Sequence, residues 1–369
     1  MSVKIKKITM YQTTMKLRSP FITHLETVSD RESILLKVED SDGVVGWGEV
    51  VAFSSPWYTE ETIETAWHML KDFFIPGVSD VRWTNPTDVN KCLKKWRGNN
   101  MAKAGVETAI WDLFAKKADK ALATYIGGVR DNVEAGVVVS SGNPSEIVKM
   151  IDKRLDEGYR RVKVKIDPTT DISVLQQIRD LYPDLLLMVD ANSAYSLNDI
   201  DHLKKLDKFG LMMIEQPLGI DDIVEHAELQ KEICTPVCLD ESINSLEDAK
   251  NAIKLRSCKV INIKIGRVGG LAEAIAIHNL CLENDIPVWC GGMLETGISR
   301  AFNIALSTLP NFTIPGDLSA SSRYWEKDVI VPEVRVVKGK INVPTSSGIG
   351  FEVDEEFIQQ ICKRSLTFQ

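Results

Sequence analysis

The sequence is poor in the residues that most often hold transition metals. Its 369 residues include 5 histidines and 7 cysteines, and none of the cysteines forms a CxxC pair or lies near histidines at zinc-ligand spacing. The closest pair, Cys234 and Cys238, is interpreted as two thiols packed in a strand. We therefore expect no zinc site, and reduced thiols of the kind found in the cytoplasm.

Long apolar runs and blocks of like charge are also missing. No stretch approaches the roughly 18 to 20 apolar residues that a membrane span needs. Residues 1–17 alternate apolar and charged side chains, which favours a half-exposed strand over a signal peptide. The 44 basic and 52 acidic residues give a net charge of −8 without a basic block for phosphates. We expect a cytoplasmic protein that binds neither membrane nor nucleic acid.

With 44% apolar residues, the chain can bury a sizeable core and is expected to form two domains. Residues 1–17 and 32–50 are predicted strands, and residues 60–74 and 101–117 show helical spacing. This order predicts a separate α+β unit over residues 1–130. The tail, residues 322–369, shows strand-like alternation and then a helix, and we expect it to return to that unit.

Short apolar strands followed by helix-like stretches fill residues 131–321. The eight strands that we predict there span residues 133–139, 160–166, 185–190, 211–215, 235–240, 259–264, 286–290 and 312–317. Eight strands with intervening helices are typical of an α/β barrel.

Acidic residues end three successive predicted strands. Asp190, Glu215 and Asp240 are 25 residues apart, and Lys264 follows 24 residues later, which is about one strand-plus-helix unit each time. The carboxyl ends of barrel strands meet at one rim, where barrel enzymes build their sites. We therefore expect these four charged side chains to converge on one cavity.

Apolar residues precede each acid, so the carboxylates would be poorly solvated unless a cation neutralised them. A single acid could instead cap a helix or pair with a base. We prefer that interpretation for Glu241, which we expect to point away from its neighbour Asp240. Oxygen-only ligands select a hard ion. The evenly spaced trio therefore predicts a Mg²⁺ site, with Mn²⁺ as a substitute.

Lysines alternate with valines in the second predicted barrel strand. Lys163 and Lys165 face one side, and Val162 and Val164 face the other. Because helices cover the outside of a barrel, we expect the lysines to point inward. Lys264 shows the same alternation on the sixth strand, across the cavity. Desolvation and the like charge of Lys163 and a bound metal are expected to lower the pKa values of Lys165 and Lys264, so that a lysine can act as a base.

Five motifs occur in a fixed order at near-constant spacing. They are Val-Lys-Val-Lys (162–165), Val-Asp-Ala-Asn (189–192), Ile-Glu-Gln-Pro (214–217), Leu-Asp-Glu-Ser (239–242) and Asn-Ile-Lys (262–264). Together they resemble the enolase superfamily, in its muconate-lactonizing subgroup, over nearly the whole chain. The resemblance implies an α/β fold, namely a modified (β/α)7β TIM-like barrel with an α+β capping domain. It also implies Mg²⁺ held by Asp190, Glu215 and Asp240, and the acid/base pair Lys165 and Lys264, assisted by Lys163.

Three further stretches resemble the branch of o-succinylbenzoate synthases and N-acylamino acid racemases. They span residues 53–62, 264–270 and 291–298. Ile265 departs from the branch, where relatives often carry proline, and so does Val138, where racemases can have serine. Arg267 is expected to tune Lys264. The residues expected to contact or support the substrate are Asn192, Arg267, Gly292, Met293 and Trp57.

The resemblance implies dehydration of 2-succinyl-6-hydroxy-2,4-cyclohexadiene-1-carboxylate, a lyase step of menaquinone biosynthesis. Lys165 would remove the proton alpha to the carboxylate and protonate the departing hydroxyl, while Lys264 would stabilise the enediolate. Racemisation of N-succinylamino acids, with these two lysines on opposite faces of the alpha carbon, is the alternative. In either case we expect a small-molecule carboxylate substrate and a homo-oligomer.

Other classes of protein are less consistent with the sequence. A non-catalytic barrel would lack one of the five charged positions, and all five are present. The glycine-rich residues 266–270 lack the spacing of a dinucleotide site. Residues 20–26 and 54–59 have the character of an active-site lid or of ordinary loops. A metal-dependent hydrolase would place histidines at strand ends, and none of the five lies there: His24, His68, His202, His226 and His278.

Overall fold

The first strand shows how hydrophobic alternation builds the N-terminal sheet. In the computed structural model, which describes residues 2–23, 25–139, 144–169 and 171–369, β1 (Val3–Ile22) alternates buried and exposed residues at its start and is largely buried in its middle. The remaining strands follow in chain order: β2 (Thr27–Asp40), β3 (Val45–Val50), β4 (Arg82–Trp83), β5 (Asn132–Glu134), β6 (Val137–Val139), β7 (Arg161–Lys165), β8 (Leu186–Asp190), β9 (Ile214–Glu215), β10 (Val237–Leu239), β11 (Val260–Ile263), β12 (Val288–Cys290), β13 (Ile330–Val331), β14 (Lys340–Asn342), β15 (Glu352–Val353) and β16 (Cys362–Phe368).

Helices separate most of these strands. They are α1 (Ile63–Met69), α2 (Ile75–Ser79), α3 (Thr87–Leu93), α4 (Asn100–Lys117), α5 (Leu122–Tyr125), α6 (Pro144–Asp156), α7 (Asp171–Leu181), α8 (Ile200–Leu203), α9 (Val224–Glu232), α10 (Leu246–Leu255), α11 (Ile265–Val268), α12 (Leu271–Glu283), α13 (Gly297–Leu306), α14 (Ser321–Tyr324) and α15 (Glu355–Ile361). A π-helical turn joins α1 to α2, and two 3₁₀ turns flank α8. Within the described residues, no helix combines the length and the apolar character needed to cross a bilayer.

The N-terminal sheet has the order β16-β1-β2-β3, and β4 also pairs with β1. All of these pairings are antiparallel. The C-terminal strand thus lies beside the first strand of the chain. The division into residues 1–130, 131–321 and 322–369 stays a prediction. The predicted loop at residues 20–26 is largely the end of a hairpin, because β1 runs to Ile22 and β2 begins at Thr27; His24 lies outside the described residues.

The barrel sheet runs from β6 to β12 in sequence order, and every pairing is parallel. The predicted eighth strand at residues 312–317 does not form a continuous ladder. Single parallel bridges join Phe312 to Val288 and Gly316 to Ala135, and they close the barrel. Pro315 lies within this segment and has no N–H to donate to a neighbouring strand.

Alternation along the parallel strands sorts the interior of the barrel into layers. A small apolar cluster forms the floor: Met188, Met213, Cys238, Val260 and Trp289. Two residues further along their strands come the polar positions Asp190, Glu215, Asp240 and Asn262, all buried, and Gly291. The same alternation therefore places a ring of polar side chains directly above an apolar floor, at the carboxyl ends of the strands.

Two buried glutamates join the N-terminal unit to this rim. Glu107 of α4 accepts hydrogen bonds from the backbone N–H groups of Leu271 (2.7 Å) and Ala272 (2.9 Å), where α12 begins. Glu49 of β3 accepts from the N–H groups of Thr296 and Ser299, both at 3.0 Å, where α13 begins. Burial raises the pKa of both carboxyl groups to about 7. Each glutamate caps a barrel helix from the other unit.

Candidate active site

The three predicted acids lie side by side at the barrel rim. Asp190 ends β8 and Glu215 ends β9, and the two are directly paired in the parallel register. Asp240 follows β10 by one residue. All three side chains are essentially inaccessible to solvent. The even sequence spacing is therefore a spatial row of carboxylates.

Lys163 lies among three carboxylates, two from strand ends and one from the segment that closes the barrel. Its Nζ is 2.8 Å from Asp190 Oδ2, 2.6 Å from Glu215 Oε2 and 3.2 Å from Asp317 Oδ2. The neighbouring Lys165 Nζ lies 2.6 Å from Asp190 Oδ2. It also donates to Oδ1 of Asn192. Both lysines of β7 thus point into the barrel.

The sixth-strand side of the cavity carries a second group of cations. Lys264 Nζ donates to Asp240 Oδ2 at 2.8 Å and to the Tyr58 hydroxyl at 2.9 Å. Arg267 Nη1 also contacts the carboxylate of Asp240 and donates to Tyr58 Oη at 3.0 Å. The same guanidinium bonds to the carbonyl groups of Ile243 and Asn262. Lys264 and Arg267 therefore share one carboxylate and one hydroxyl.

The lowering of lysine pKa values expected beside a bound metal stays a prediction, and the ion pairs within the protein act in the opposite direction on Lys163 and Lys264. Burial alone would lower the pKa of Lys163, but Asp190, Asp317 and Glu215 outweigh it and hold that pKa well above its ordinary range. The pKa of Lys264 is likewise raised, chiefly because Asp240 offsets the effect of burial. Close ion pairs favour the charged form of these two amines more than desolvation and like charge oppose it.

Glu241 also departs from expectation, because it does not point away from the site. Its Oε1 accepts from Asn192 Nδ2 at 3.0 Å, and the side chain is buried. Burial and the charge of Asp240 raise the pKa of Glu241 to about 7. Strict alternation fails here because β10 ends at Leu239, so the next two residues lie in a turn.

A small cavity of about 60 Å³ opens onto these groups. Among its lining are eight residues predicted for the site: Lys163, Lys165, Lys264, Asp190, Asn192, Gly292, Met293 and Trp57. Glu215 and Asp240 lie behind this lining and contact Lys163 and Lys264, and Arg267 contacts Asp240 and Tyr58. A side chain at Gly291 would meet Lys264 Cε at 2.5 Å, so glycine there leaves room for that lysine. All predicted site residues are thus gathered around one cavity.

The structure adds lining residues that sequence analysis missed. Tyr58 reaches Lys264 from the segment that also contributes Phe53 and Trp57, and these three rings pack together. Asp317 lies at the end of the closing segment and pairs with Lys163. A charged residue ending the eighth predicted strand was a usable signal for Asp317. The others are Phe21, Thr23, Leu294 and Tyr324, and Val138, already noted as a departure from the racemases, also lines the cavity.

The carboxylate trio has the chemistry of a cation site, although cations of the protein occupy it. Within the described residues, no three Asp, Glu, His or Cys side chains are arranged to hold a metal ion as they stand. Lys163 lies between Asp190 and Glu215, and Lys264 and Arg267 contact Asp240. The donor set nevertheless fits a hard ion. Glu215 Oε2 is buried and makes no hydrogen bond, although Lys163 Nζ is 2.6 Å away. Burial, as the largest cause, and the charge of Asp190, as the next, raise the pKa of Glu215 to about 8.

Comparison with protein families decides the relationship. Residues 5–127 match the mandelate racemase / muconate lactonizing enzyme N-terminal domain, and residues 146–357 match the enolase C-terminal domain-like family. The chain belongs to the enolase superfamily. Members of this superfamily bind a divalent metal ion. The predicted membership is therefore confirmed.

Individual relatives match this superfamily member along almost their whole length. The o-succinylbenzoate synthase of Bacillus subtilis is 53% identical, over 97% of this chain and 96% of the relative. The N-succinylamino acid racemase of an Amycolatopsis species is 41% identical, over 97% and 98%. The crystal structure of an enolase superfamily member from Listeria innocua superposes with a TM-score of 0.97 at 38% identity, covering 99% of each chain. The predicted α/β fold, a TIM-like barrel with a capping domain, is confirmed.

Proposed function

We propose that this chain is an o-succinylbenzoate synthase, a lyase that removes water from 2-succinyl-6-hydroxy-2,4-cyclohexadiene-1-carboxylate in menaquinone biosynthesis. The relatives that carry this name match nearly the whole chain at 39–53% identity. The observation that carries the proposal is one cavity with Lys165 on one side and Lys264 on the other, above a row of three carboxylates.

Lys165 is proposed as the acid/base. In its neutral form it takes the proton alpha to the substrate carboxylate, and the electron pair left behind expels the hydroxyl group as the ring becomes aromatic. Lys165 then returns the proton to that hydroxyl, which leaves as water. Asn192 and Asp190 hold its amine at the cavity wall.

Lys264 is proposed as the fixed cation on the opposite wall. Its bonds to Asp240 and Tyr58 keep the ammonium charged and oriented, so that it stabilises the negative charge that develops on the substrate carboxylate. Lys163 assists from the floor side of Lys165. Asp190, Glu215 and Asp240 would hold Mg²⁺ or Mn²⁺, which would supply further positive charge to stabilise the enediolate.

N-Succinylamino acid racemisation is proposed as a second activity. It needs a proton carrier on each face of the alpha carbon, and the two lysines lie on opposite walls of the cavity. Racemases of N-succinylamino acids from Amycolatopsis and Thermus thermophilus are 41% and 42% identical to this chain. Asn192, Gly292, Met293 and Trp57 are proposed to contact the substrate, and Arg267 to support Lys264.

The seven cysteines are all free thiols, which supports a cytoplasmic location. The homo-oligomeric state stays a prediction.

Assays of the purified protein with both substrates, with and without EDTA, test the proposal. We expect dehydration that EDTA abolishes and Mg²⁺ restores. Asp240→Asn should be inactive at any Mg²⁺ concentration up to millimolar, because it removes a charged ligand. Full dehydration activity in metal-free buffer would contradict the metal assignment, and racemisation without dehydration would reverse the order of the two activities.

A further inference from the structure

Asp317 is a carboxylate of the cavity that stands outside the row of three. It follows the segment that closes the barrel, and its side chain is 11% exposed and lines the cavity. It accepts from Arg161 Nη1 at 2.7 Å and from Lys163 Nζ at 3.2 Å. Asp317 therefore links Lys163 to a second buried cation.

Arg161 is buried beneath this pair and makes several contacts. Its side chain is fully buried, and Nε and Nη2 both donate to the carbonyl of Pro315, at 3.1 and 2.6 Å. The guanidinium occupies the space that a side chain at Gly136 would take, since a Cβ there would lie 2.1 Å from Arg161 Cζ. It also lies over the ring of Trp289, 5.4 Å from the centroid. A guanidinium with this many contacts holds the carboxylate of Asp317 in place.

Lys163 Nζ lies within ion-pair distance of three carboxylates. Its Nζ is closer to Glu215 Oε2 (2.6 Å) and Asp190 Oδ2 (2.8 Å) than to Asp317 Oδ2 (3.2 Å). Under the proposed function, Asp190 and Glu215 are ligands of a divalent ion. Two cations that share the same carboxylate oxygens repel each other strongly at such distances. Lys163 must therefore keep a counter-charge of its own when the ion binds.

We propose that Asp317, held by Arg161, is the positioning residue that retains the Lys163 ammonium when a divalent cation binds Asp190 and Glu215. The inference rests on the proposed metal role of those two acids. Asp317 is the carboxylate near Lys163 that does not bind the ion. Without its charge, Lys163 stays on Asp190 and Glu215 and competes with the ion.

The test is direct binding of Mn²⁺ in the absence of substrate, followed by calorimetry or by the EPR signal of free Mn²⁺ at constant ionic strength. Asp317→Asn keeps the volume and one acceptor for Arg161 but removes the charge. Its affinity for Mn²⁺ should fall by about tenfold or more, the usual cost of altering a group that supports metal ligands. An unchanged affinity in a folded Asp317→Asn protein would overturn the proposal.

Lys163→Met separates positioning from simple loss of negative charge. This variant alone should bind Mn²⁺ more tightly than the wild type, because the competing cation is gone. In the Lys163→Met background, Asp317→Asn should cause little further loss. Equal losses in both backgrounds would overturn the proposal, since Asp317 would then act on the ion without Lys163.

Two controls keep the outcomes distinct. The Asp207 carboxylate accepts hydrogen bonds from the backbone N–H groups of Cys234 and Thr235, just before β10 and at the end of that strand away from the cavity. Asp207→Asn should therefore lower the thermal midpoint and leave the Mn²⁺ affinity unchanged. If Asp317→Asn failed to fold, Asp317→Ala would take its place, and an unchanged Mn²⁺ affinity in that folded variant would overturn the proposal in the same way. A wild type that bound no Mn²⁺ would overturn the metal assignment and this inference together.

Discussion

The two lysine-bearing walls of the cavity differ in how tightly they hold their amines. On the second-strand wall, Lys165 is 19% exposed and contacts Asp190 and Asn192. On the sixth-strand wall, Lys264 is 8% exposed and is bound by Asp240 and Tyr58, with Arg267 sharing both partners. An amine open to the cavity can change partners during a reaction, whereas one enclosed by a second cation and a carboxylate is better suited to remain a fixed charge.

This difference explains how one cavity can serve two reactions unequally. Dehydration by the proposed route needs one proton carrier and one fixed cation, which are what the two walls offer. Racemisation requires Lys264 to lose and regain a proton. The ion pair with Asp240 opposes this loss, because it raises the pKa of Lys264. We therefore expect changes to the second-strand wall to damage both reactions, and changes to the sixth-strand wall to damage racemisation more.

The largest effect is expected from Lys165→Ala, which removes the open amine. Dehydration should fall by roughly 10²–10⁴-fold, the usual contribution of a general acid–base group. Steady-state kinetics of the dehydration would measure it, with the exposed Lys254→Ala as the control for a lost lysine elsewhere. Retention of more than about a tenth of the activity would show that another group is the base.

Lys264→Arg should separate the two reactions. It keeps a cation on the sixth-strand wall but removes an amine that can exchange a proton. Racemisation should fall by about 10²-fold or more, while part of the dehydration survives. In D₂O, Lys165 should still exchange the alpha proton of one enantiomer of an N-succinylamino acid and leave the other unlabelled. Equal labelling of both enantiomers would refute the two-wall arrangement.

Tyr58→Phe should have a smaller effect on the same wall. It removes the hydroxyl that accepts from Lys264 and Arg267, and such bonds to charged groups contribute about 1.5–3 kcal/mol each. We expect dehydration to slow by about tenfold, since one of these bonds orients Lys264, and racemisation to slow further. Tyr125→Phe, a partly buried tyrosine of the N-terminal unit, is the control for loss of a phenol hydroxyl. Equal slowing of both reactions would contradict the distinction between the walls.

The smallest effect concerns Glu107 of α4, which accepts hydrogen bonds from the start of α12. Glu107, buried against α12, has its pKa raised to about 7 in the folded protein, above its value in the unfolded chain. Its stabilising contribution is therefore fully present below about pH 4.5 and is lost as the pH rises through 7. Glu107→Gln should flatten the dependence of the free energy of unfolding on pH between 5 and 8.

Denaturant unfolding at several pH values would measure this dependence. Glu283→Gln, an exposed glutamate at the end of α12, is the matched control and should leave the slope unchanged. A Glu107→Gln variant with the wild-type slope would show that the Glu107 carboxyl group is ionised throughout this pH range.

Sequence patterns located the strand-end residues well and the turn residues poorly. Asp190 and Glu215 fall at strand ends because each follows a buried run one barrel unit after the last. Glu241 was misplaced because it lies beyond the end of β10, where alternation no longer applies. Asp317 was placed on a strand that is only a pair of bridges, and its partnership with Lys163 spans 154 residues. Tyr58 comes from another unit, so no local period could bring it to Lys264.

The sequence by itself determined the parallel barrel, the inward lysines of β7 and the row of three acids, because these depend on local alternation and on a constant unit length. Only the tertiary structure decided which cation pairs with which acid. Those pairings depend on distances between chain segments far apart in sequence, and on burial, which strengthens each ion pair it encloses. Three features therefore depend on the folded barrel and could not be predicted from the sequence. They are the raised pKa of Lys264, the inward orientation of Glu241 and the hydrogen bond from Arg161 to Asp317.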